Sequence, residues 1–298
     1  MLNMTDRDWN ILLDKIKMGK CTPFLGAGAS FGTVPLGSEI ASKWAKEYGY
    51  PLDDSLDLAR VAQFVAVTEE SMTPKDRMQE LFQTLPLPDF KSPDEPHRVL
   101  ADLPFPIYIT TNYDNSMISA LQYRGKDPKL ELCLWNTFLE ENEESIFDKD
   151  QNYMPTKANP LVFHLHGHYN VAESMVLTED DYLDFLIHIS KDQNLLPSRI
   201  RRAITSSSLL FLGYKIADWD FRVLFRRIIG YLDKSLSRTH ISIQIAPEHE
   251  GISKEQQEKV QKYLESYYAK DKVLVYWGSC RDFAAELRRR WEVYNDGN

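Results

Sequence analysis

The chain has 298 residues, of which 43% are hydrophobic and 12% are aromatic, and this is enough apolar material for a sizeable buried core. A formal net charge of -9 argues against binding nucleic acid by bulk charge, so we expect no direct nucleic-acid partner. No run approaches the ~18 apolar residues of a membrane-spanning helix, and we see no secretory signal, so we expect a cytoplasmic protein without a membrane partner.

Six short apolar runs alternate with longer amphipathic stretches along the chain. The runs are Thr22–Gly28, Pro106–Asn112, Leu161–Gly167, Ser208–Tyr214, Ile241–Ala246 and Lys272–Gly278. Their short length and their β-branched and aromatic residues are typical of buried parallel strands. Helices are predicted over Asp8–Gly19, Gly37–Tyr50, Asp57–Glu70, Thr73–Leu85, Asp218–Leu232 and Ser253–Ala269. The alternation predicts an α/β fold with a doubly wound, Rossmann-like parallel sheet of about six strands.

The spacing of the runs bears on the number of domains. The interval from residue 33 to residue 105 separates the first two predicted strands and is too long for a single crossover. We expect a helical insertion there and a second one near residues 178–205. Because no flexible linker is visible, we expect residues 1–298 to form a single domain with these two insertions.

The first run ends in a glycine-rich loop, CTPFLGAGASFG, that contains Gly26, Gly28 and Gly32. Ligands of open α/β sheets bind beyond the carboxyl ends of the strands, where glycines let backbone N–H groups approach a phosphate. The loop departs from GxGxxG because Phe31 stands at the third glycine position, and no Gly-Lys-Ser/Thr follows it. A tight turn without a ligand is the alternative interpretation.

The second run continues into TTNYD, which places Thr110, Asn112 and Asp114 at alternate positions and therefore on one face of an extended chain. An Asn/Asp turn after a strand is the alternative. The fourth run ends at Gly213, which permits another close backbone approach. Asp218, farther on, suits a helix N-cap better than a ligand.

The third run ends in HLHGH, with His164, His166 and His168 again at alternate positions. In an extended chain these imidazoles would share a face. They could accept a proton near neutral pH, or they could ligate zinc if a further ligand came from elsewhere in the chain.

Together the strand ends would offer a phosphate-sized backbone cradle, an amide, a carboxylate and an imidazole at one edge of the sheet. These groups would be suited to bind a dinucleotide and to promote a reaction at a carbon of one of its sugars. They suit hydride transfer less well, because no clear acidic ribose partner follows the glycines at the expected distance.

These segments resemble the sirtuins, and more closely the bacterial sirtuin-like NAD hydrolases of anti-phage defence. The similar segments are GAGAS (26–30), TTNYD (110–114), LHG (165–167), MVLTEDDY (175–182) and LLFLGYKIADWDFR (209–222). The resemblance spans about residues 22–222, and the order of the motifs makes it more specific than any one of them. It implies an NAD+ hydrolase that releases nicotinamide and ADP-ribose and depletes NAD during infection.

The resemblance also implies roles for individual residues. Those expected to line the NAD phosphates are Gly26, Ala27, Gly28 and Ser30. Asn112 and Asp114 would lie beside the nicotinamide ribose, His166 would be the catalytic base and Gly213 would lie near the adenosine half. Asn112 would then hold a ribose hydroxyl or orient the attacking water.

Two departures from the sirtuin pattern concern protein deacylation. Sirtuin deacylases carry a four-cysteine zinc module, whereas Cys21, Cys133 and Cys280 are far apart and form no pair. The cofactor loop keeps Pro35 but lacks the arginine that follows in those enzymes. We therefore expect NAD cleavage without lysine deacylation and without a metal.

Two other functions stay open at this point. The HLHGH histidines could bind the metal of a metal-dependent hydrolase. Alternatively, the strand ends together could bind NAD or ADP-ribose in a sensor without enzymatic activity. A toxic hydrolase without a recognisable sensor domain also needs external control. We expect a homo-oligomer, and the resemblance adds a HerA-type ATPase or another activating or sensing protein as a partner.

Overall fold

The computed structural model describes residues 4–192, 195–214, 239–244 and 253–296. Its strands are β1 (Cys21–Leu25), β2 (Ile107–Thr110), β3 (Lys129–Leu132), β4 (Leu161–His164), β5 (Ser208–Leu212), β6 (His240–Gln244) and β7 (Val273–Trp277). They form one sheet in the order β3-β4-β2-β1-β5-β6-β7, and all neighbouring strands are parallel. The predicted doubly wound α/β fold is confirmed.

The strand count differs from the prediction by one, because β3 was not recognised in the sequence. This strand has only four residues, KLEL, and lies at the edge of the sheet, where Lys129 and Leu130 are partly exposed. An edge strand needs no continuous apolar run, because one of its sides is not covered by a neighbouring strand.

The described helices are α1 (Asp6–Lys17), α2 (Gly37–Tyr48), α3 (Leu58–Thr68), α4 (Thr73–Thr84), α5 (Pro96–Asp102), α6 (Ser116–Tyr123), α7 (Thr137–Asn142), α8 (Ile146–Lys149), α9 (Glu179–Lys191), α10 (Ser198–Ser206), α11 (Lys254–Ala269) and α12 (Cys280–Asp296). The helix predicted at Asp218–Leu232, together with the predicted cap Asp218, lies outside the described residues.

Successive residues of each central strand enter different hydrophobic cores, as expected for a sheet that is covered on both faces. Leu25 packs on the face covered by α1, α5, α6 and α12. Phe24, one residue earlier, packs on the face covered by α9, α10 and α11. All five residues of β1 and of β5 are buried, which explains why these strands read as continuous apolar runs.

The helices between β1 and β2 contribute a third core that lies apart from the two sheet cores. Trp44 of α2, Val61 of α3 and Met78 of α4 pack there against Met175 and Leu177, which follow β4. Among the described residues, no helix is both long enough and apolar enough to cross a bilayer.

Candidate functional site

The four strands whose ends carry the sequence motifs are adjacent in the sheet, in the order β4-β2-β1-β5. After β1 the chain continues to β2 on one side, and it later returns to β5 on the other side. This reversal makes the β1/β5 boundary a topological switch point, which is where open α/β sheets bind ligands. The glycine turn after β1 and Gly213 after β5 both lie at that boundary.

The glycine turn packs directly against the backbone that follows β5. The Gly26 N–H donates to the Leu212 carbonyl at 2.8 Å, and the Gly28 N–H donates to the Gly213 carbonyl at 3.0 Å. Gly213 has a φ of +80°, and a β-carbon on Gly28 would lie 2.9 Å from its Cα. The glycines at 26, 28 and 213 are therefore required by contact between two backbone segments, independently of any ligand. Gly32, at φ +88°, has no such neighbour within 4 Å.

Residues 27–30 form a single 3-10 turn directly after Gly26. Ala27 is exposed at the surface of this turn, whereas Ser30 is buried beneath it. A cleft of about 780 Å³ opens next to the turn, between residues 31–35 and helices α2 and α4. Phe31, which lines this cleft, is 68% exposed.

Asn112 links the end of β2 to the glycine turn. Its Nδ2 donates to the Gly26 carbonyl at 3.1 Å, and its backbone N–H donates to Thr110 Oγ1 at 2.9 Å. Its side chain is partly exposed, and no described residue donates a hydrogen bond to Oδ1. Within the described part of the chain, Oδ1 can therefore accept a hydrogen bond from a ligand hydroxyl or a water molecule.

Asp114 makes a second link between the same two segments. Its Oδ1 accepts the Ser116 N–H at 2.7 Å, which holds the turn at the start of α6. Its Oδ2 accepts the Ser30 hydroxyl at 3.4 Å. The structure thus brings together the predicted residues Gly26, Ser30, Asn112 and Asp114 by direct contacts.

The three histidines of HLHGH do not form the continuous row that the alternation predicted. Strand β4 ends at His164, and Gly167 has a φ of +88°, which takes the chain out of the extended conformation. The rings of His164 and His168 contact each other, with centroids 4.7 Å apart. The His166 ring instead packs edge-on against Phe185 and Tyr182, at 5.0 and 5.6 Å.

All three imidazoles are buried, and burial dominates their titration. It lowers the pKa of His166 to about 3, because the charged form would lose its hydration. It also lowers the pKa of His164 to about 4, although the hydrogen bond to the Asn112 carbonyl, the charge of Asp114 and the backbone of Gly167 oppose the shift. Burial, with a smaller contribution from His164, lowers the pKa of His168 to about 3. These rings are therefore neutral at neutral pH.

Sequence reasoning missed a set of tyrosines around the strand ends. Tyr214 donates to the Leu25 carbonyl at 2.7 Å and contacts the Thr111 hydroxyl at 2.8 Å. Tyr113 donates to the Val176 carbonyl at 2.6 Å, and burial raises its pKa well above the usual range. The available signal was a tyrosine two or three residues after the end of a strand, as in TTNYD after β2 and LGY after β5.

A buried pair, Glu95 and His97, was also missed. His97 Nδ1 lies 2.8 Å from Glu95 Oε1, and Glu95 Oε2 accepts the Arg98 N–H at 2.6 Å at the start of α5. Burial would lower the pKa of His97, but the hydrogen bond and charge of Glu95, with the charge of Asp114, raise it overall. A histidine two residues after a glutamate does not by itself indicate an interacting pair. The burial of both side chains makes this pair distinctive, and burial is visible only in the structure.

Within the described ranges, no group of three or more histidine, cysteine, aspartate or glutamate side chains is arranged to hold a metal ion. Cys21 and Cys133 are buried free thiols, and Cys280 is a partly buried one.

The chain is similar to a known family and to several curated proteins. A family model described as SIR2-like domain matches residues 106–270, a range that begins just before β2 and excludes the glycine turn. The NAD(+) hydrolase ThsA of Cytobacillus dafuensis is 27% identical over 209 residues, 69% of this chain and 37% of that protein. The NAD(+) hydrolase ThsA of Acinetobacter baumannii (strain 532279) is 24% identical over 252 residues, 80% of this chain and 46% of that protein.

A third relative, the defense-associated sirtuin 2 of Bacillus subtilis, is 25% identical over 227 residues, 72% of this chain and 20% of that protein. The chain thus spans less than half the length of each of these three relatives.

Proposed function

This chain belongs to the SIR2-like family, and from that membership we propose that it is an NAD+ hydrolase that releases nicotinamide and ADP-ribose. The observation that carries the proposal is the linkage of Asn112 to the glycine turn at the β1/β5 switch point. Relatives named as NAD(+) hydrolases support the same activity.

In this proposal the dinucleotide lies across the switch point. The turn formed by Gly26, Ala27, Gly28 and Ser30 faces the phosphates, and Gly213 lies by the adenosine half. The exposure of Ala27 supports this placement, because the turn is accessible from outside. Asp114 and Asn112 hold the nicotinamide ribose, and Asn112 Oδ1, to which no described residue donates, suits a ribose hydroxyl.

The reaction replaces the bond between the nicotinamide nitrogen and the ribose carbon with a bond to a water oxygen. The electron pair of the broken bond leaves with nicotinamide, which becomes neutral. The attacking water loses a proton, which His166 accepts before solvent takes it up. A neutral imidazole is required for that step, and the burial of His166 favours this form.

We propose that this activity serves anti-phage defence by depleting NAD, as the name of the Bacillus subtilis relative suggests. Such an activity needs control, so we also propose a cytoplasmic homo-oligomer whose turnover depends on assembly or on a HerA-type ATPase or other sensing partner. Light scattering should detect a species larger than one chain, and specific activity should rise with protein concentration or with the partner. A fully active monomer would exclude control by assembly.

The direct test follows nicotinamide release from NAD+ by the purified chain. The His166→Ala and Asn112→Ala variants should each lose about 100-fold or more in kcat, because each lacks a group that acts in the transition state. His188→Ala and Asn152→Ala are matched controls, since both side chains are exposed. Full turnover in both site variants would refute the assignment, and NAD binding without any release by the wild-type chain would favour a sensor.

A further inference from the structure

The proposed reaction uses only one of the three histidines in HLHGH. The other two, His164 and His168, are each 1% exposed, and their rings meet edge to face at an interplanar angle of 88°. Neither Nε2 atom has a hydrogen-bond partner among the described residues. Buried polar atoms without partners are costly, and aromatic or aliphatic side chains would fill this space without that cost. Packing alone therefore does not explain why two histidines occupy this position.

The hydrogen bonds fix which nitrogen of each neutral ring carries the proton. His164 Nδ1 lies 3.0 Å from the Asn112 carbonyl, which can only accept, so the single N–H of His164 is on Nδ1. The Asn170 N–H donates to His168 Nδ1 at 3.2 Å, so the N–H of His168 is on Nε2. The two neighbouring rings thus have opposite tautomers.

The group held by His164 is the backbone of Asn112, whose side chain contacts the glycine turn. Asn112 is fixed on three sides, by Thr110 at its N–H, by His164 at its carbonyl and by Gly26 at its side-chain amide. The first two bonds fix the peptide groups on either side of its Cα. The direction of its side chain therefore depends on both of them.

We propose that His164 is a positioning residue for Asn112, and that the ring of His168 packs against it to hold the Nδ1–H toward the Asn112 carbonyl. The inference rests on the proposed function, because it assigns Asn112 to the reacting ribose. It predicts that the donor at the Nδ1 position matters, rather than the presence of a ring.

The test compares two amides at position 164. Asparagine places its N–H near the position of Nδ1, whereas glutamine places its amide near Nε2. We expect His164→Asn to keep kcat within about threefold and His164→Gln to lose about tenfold or more, with KM changed by less than about twofold in both. Equal losses in the two variants, or a loss confined to KM, would overturn the proposal.

A spectroscopic readout does not depend on the folding of any variant. Long-range 15N–1H correlation spectra of the wild-type chain should show the Nδ1–H tautomer for His164 and the Nε2–H tautomer for His168. An Nε2–H tautomer at His164 would overturn the inference. A wild-type chain that releases no nicotinamide would refute the proposed function instead, and the two failures are therefore distinguishable.

Discussion

A β-carbon placed on Gly213 would lie 2.2 Å from the backbone nitrogen of Ala29. The loop after β5 and the turn after β1 therefore cross with no room for a side chain between them. The crossing brings the first strand of the fold and a strand almost 190 residues later to one point, and the candidate site is built around it.

The Gly213→Ala variant should lose both stability and activity. The new methyl group would push the two backbone segments apart, in addition to the strain of a left-handed φ at a non-glycine residue. We expect a loss of more than about 3 kcal/mol in unfolding free energy. Gly49→Ala is the control: its φ of +68° imposes similar strain, but nothing lies within 4 Å of the added carbon.

Thermal and urea unfolding should therefore give a larger loss of unfolding free energy for Gly213→Ala than for Gly49→Ala. The control should lose only about 1 kcal/mol, the cost of the left-handed conformation alone. Equal losses in the two variants would show that the crossing tolerates a side chain.

The pH dependence of turnover should be flat around neutrality. His166 acts as a base only when neutral, and burial lowers its pKa to about 3, so no acidic limb should arise from it near pH 6.5. Between pH 5.5 and 7.5 we expect kcat/KM to change by less than about twofold, where a base of ordinary pKa would give about tenfold. A tenfold fall would mean that His166 is more hydrated than the structure indicates.

Folding stability, by contrast, should fall with acid. Burial lowers the pKa values of His164 and His240 to about 4, and those of His166 and His168 to about 3. From pH 6.5 down to about 4, the unfolded chain therefore binds protons that the native chain does not. Each residue removes up to about 1.4 kcal/mol per pH unit. The raised pKa of His97 acts oppositely, since its contribution is present below pH 6.5 and is lost as the pH rises through the folded pKa.

Urea unfolding at several pH values would measure this balance. The His240→Gln variant, which changes a buried ring outside the site, should show a shallower acid dependence than the wild-type chain. A free energy of unfolding that rises on acidification would contradict a dominant contribution from the four buried histidines.

The ion pair between Lys75 and Asp181 should be important for stability. Its atoms are 2.8 Å apart, its side chains are 9% and 13% exposed, and Asp181 also accepts the N–H groups of Leu177 and Thr178. The Lys75→Met variant would leave this carboxylate buried without its cation, at a cost of about 3 kcal/mol or more. The exposed pair Lys129–Asp127 is the control, because Lys129→Met should cost less than about 1 kcal/mol. Equal losses of unfolding free energy in the two variants would contradict the idea that burial makes the Lys75–Asp181 pair important.

The sequence was sufficient to predict the central strands, because β1 and β5 are buried along their whole length and read as apolar runs. It was insufficient for β3, where the edge position leaves Lys129 partly exposed. The clustering of strand ends followed from topology alone. The turn at Gly167 and the aromatic partners of His166 could not be predicted in this way. Phe185, one of those partners, lies on α9, and the position of that helix depends on packing over the whole face of the sheet.

The separate core formed by α2, α3 and α4 has a consequence for local opening. Because this core is distinct from the sheet cores, we expect its backbone amides to exchange with solvent through an opening event that leaves the sheet intact. Tyr113 packs at its edge while the next residue back along the chain, Asn112, holds the glycine turn. A dinucleotide bound at that turn should therefore slow hydrogen exchange in the helices of this core.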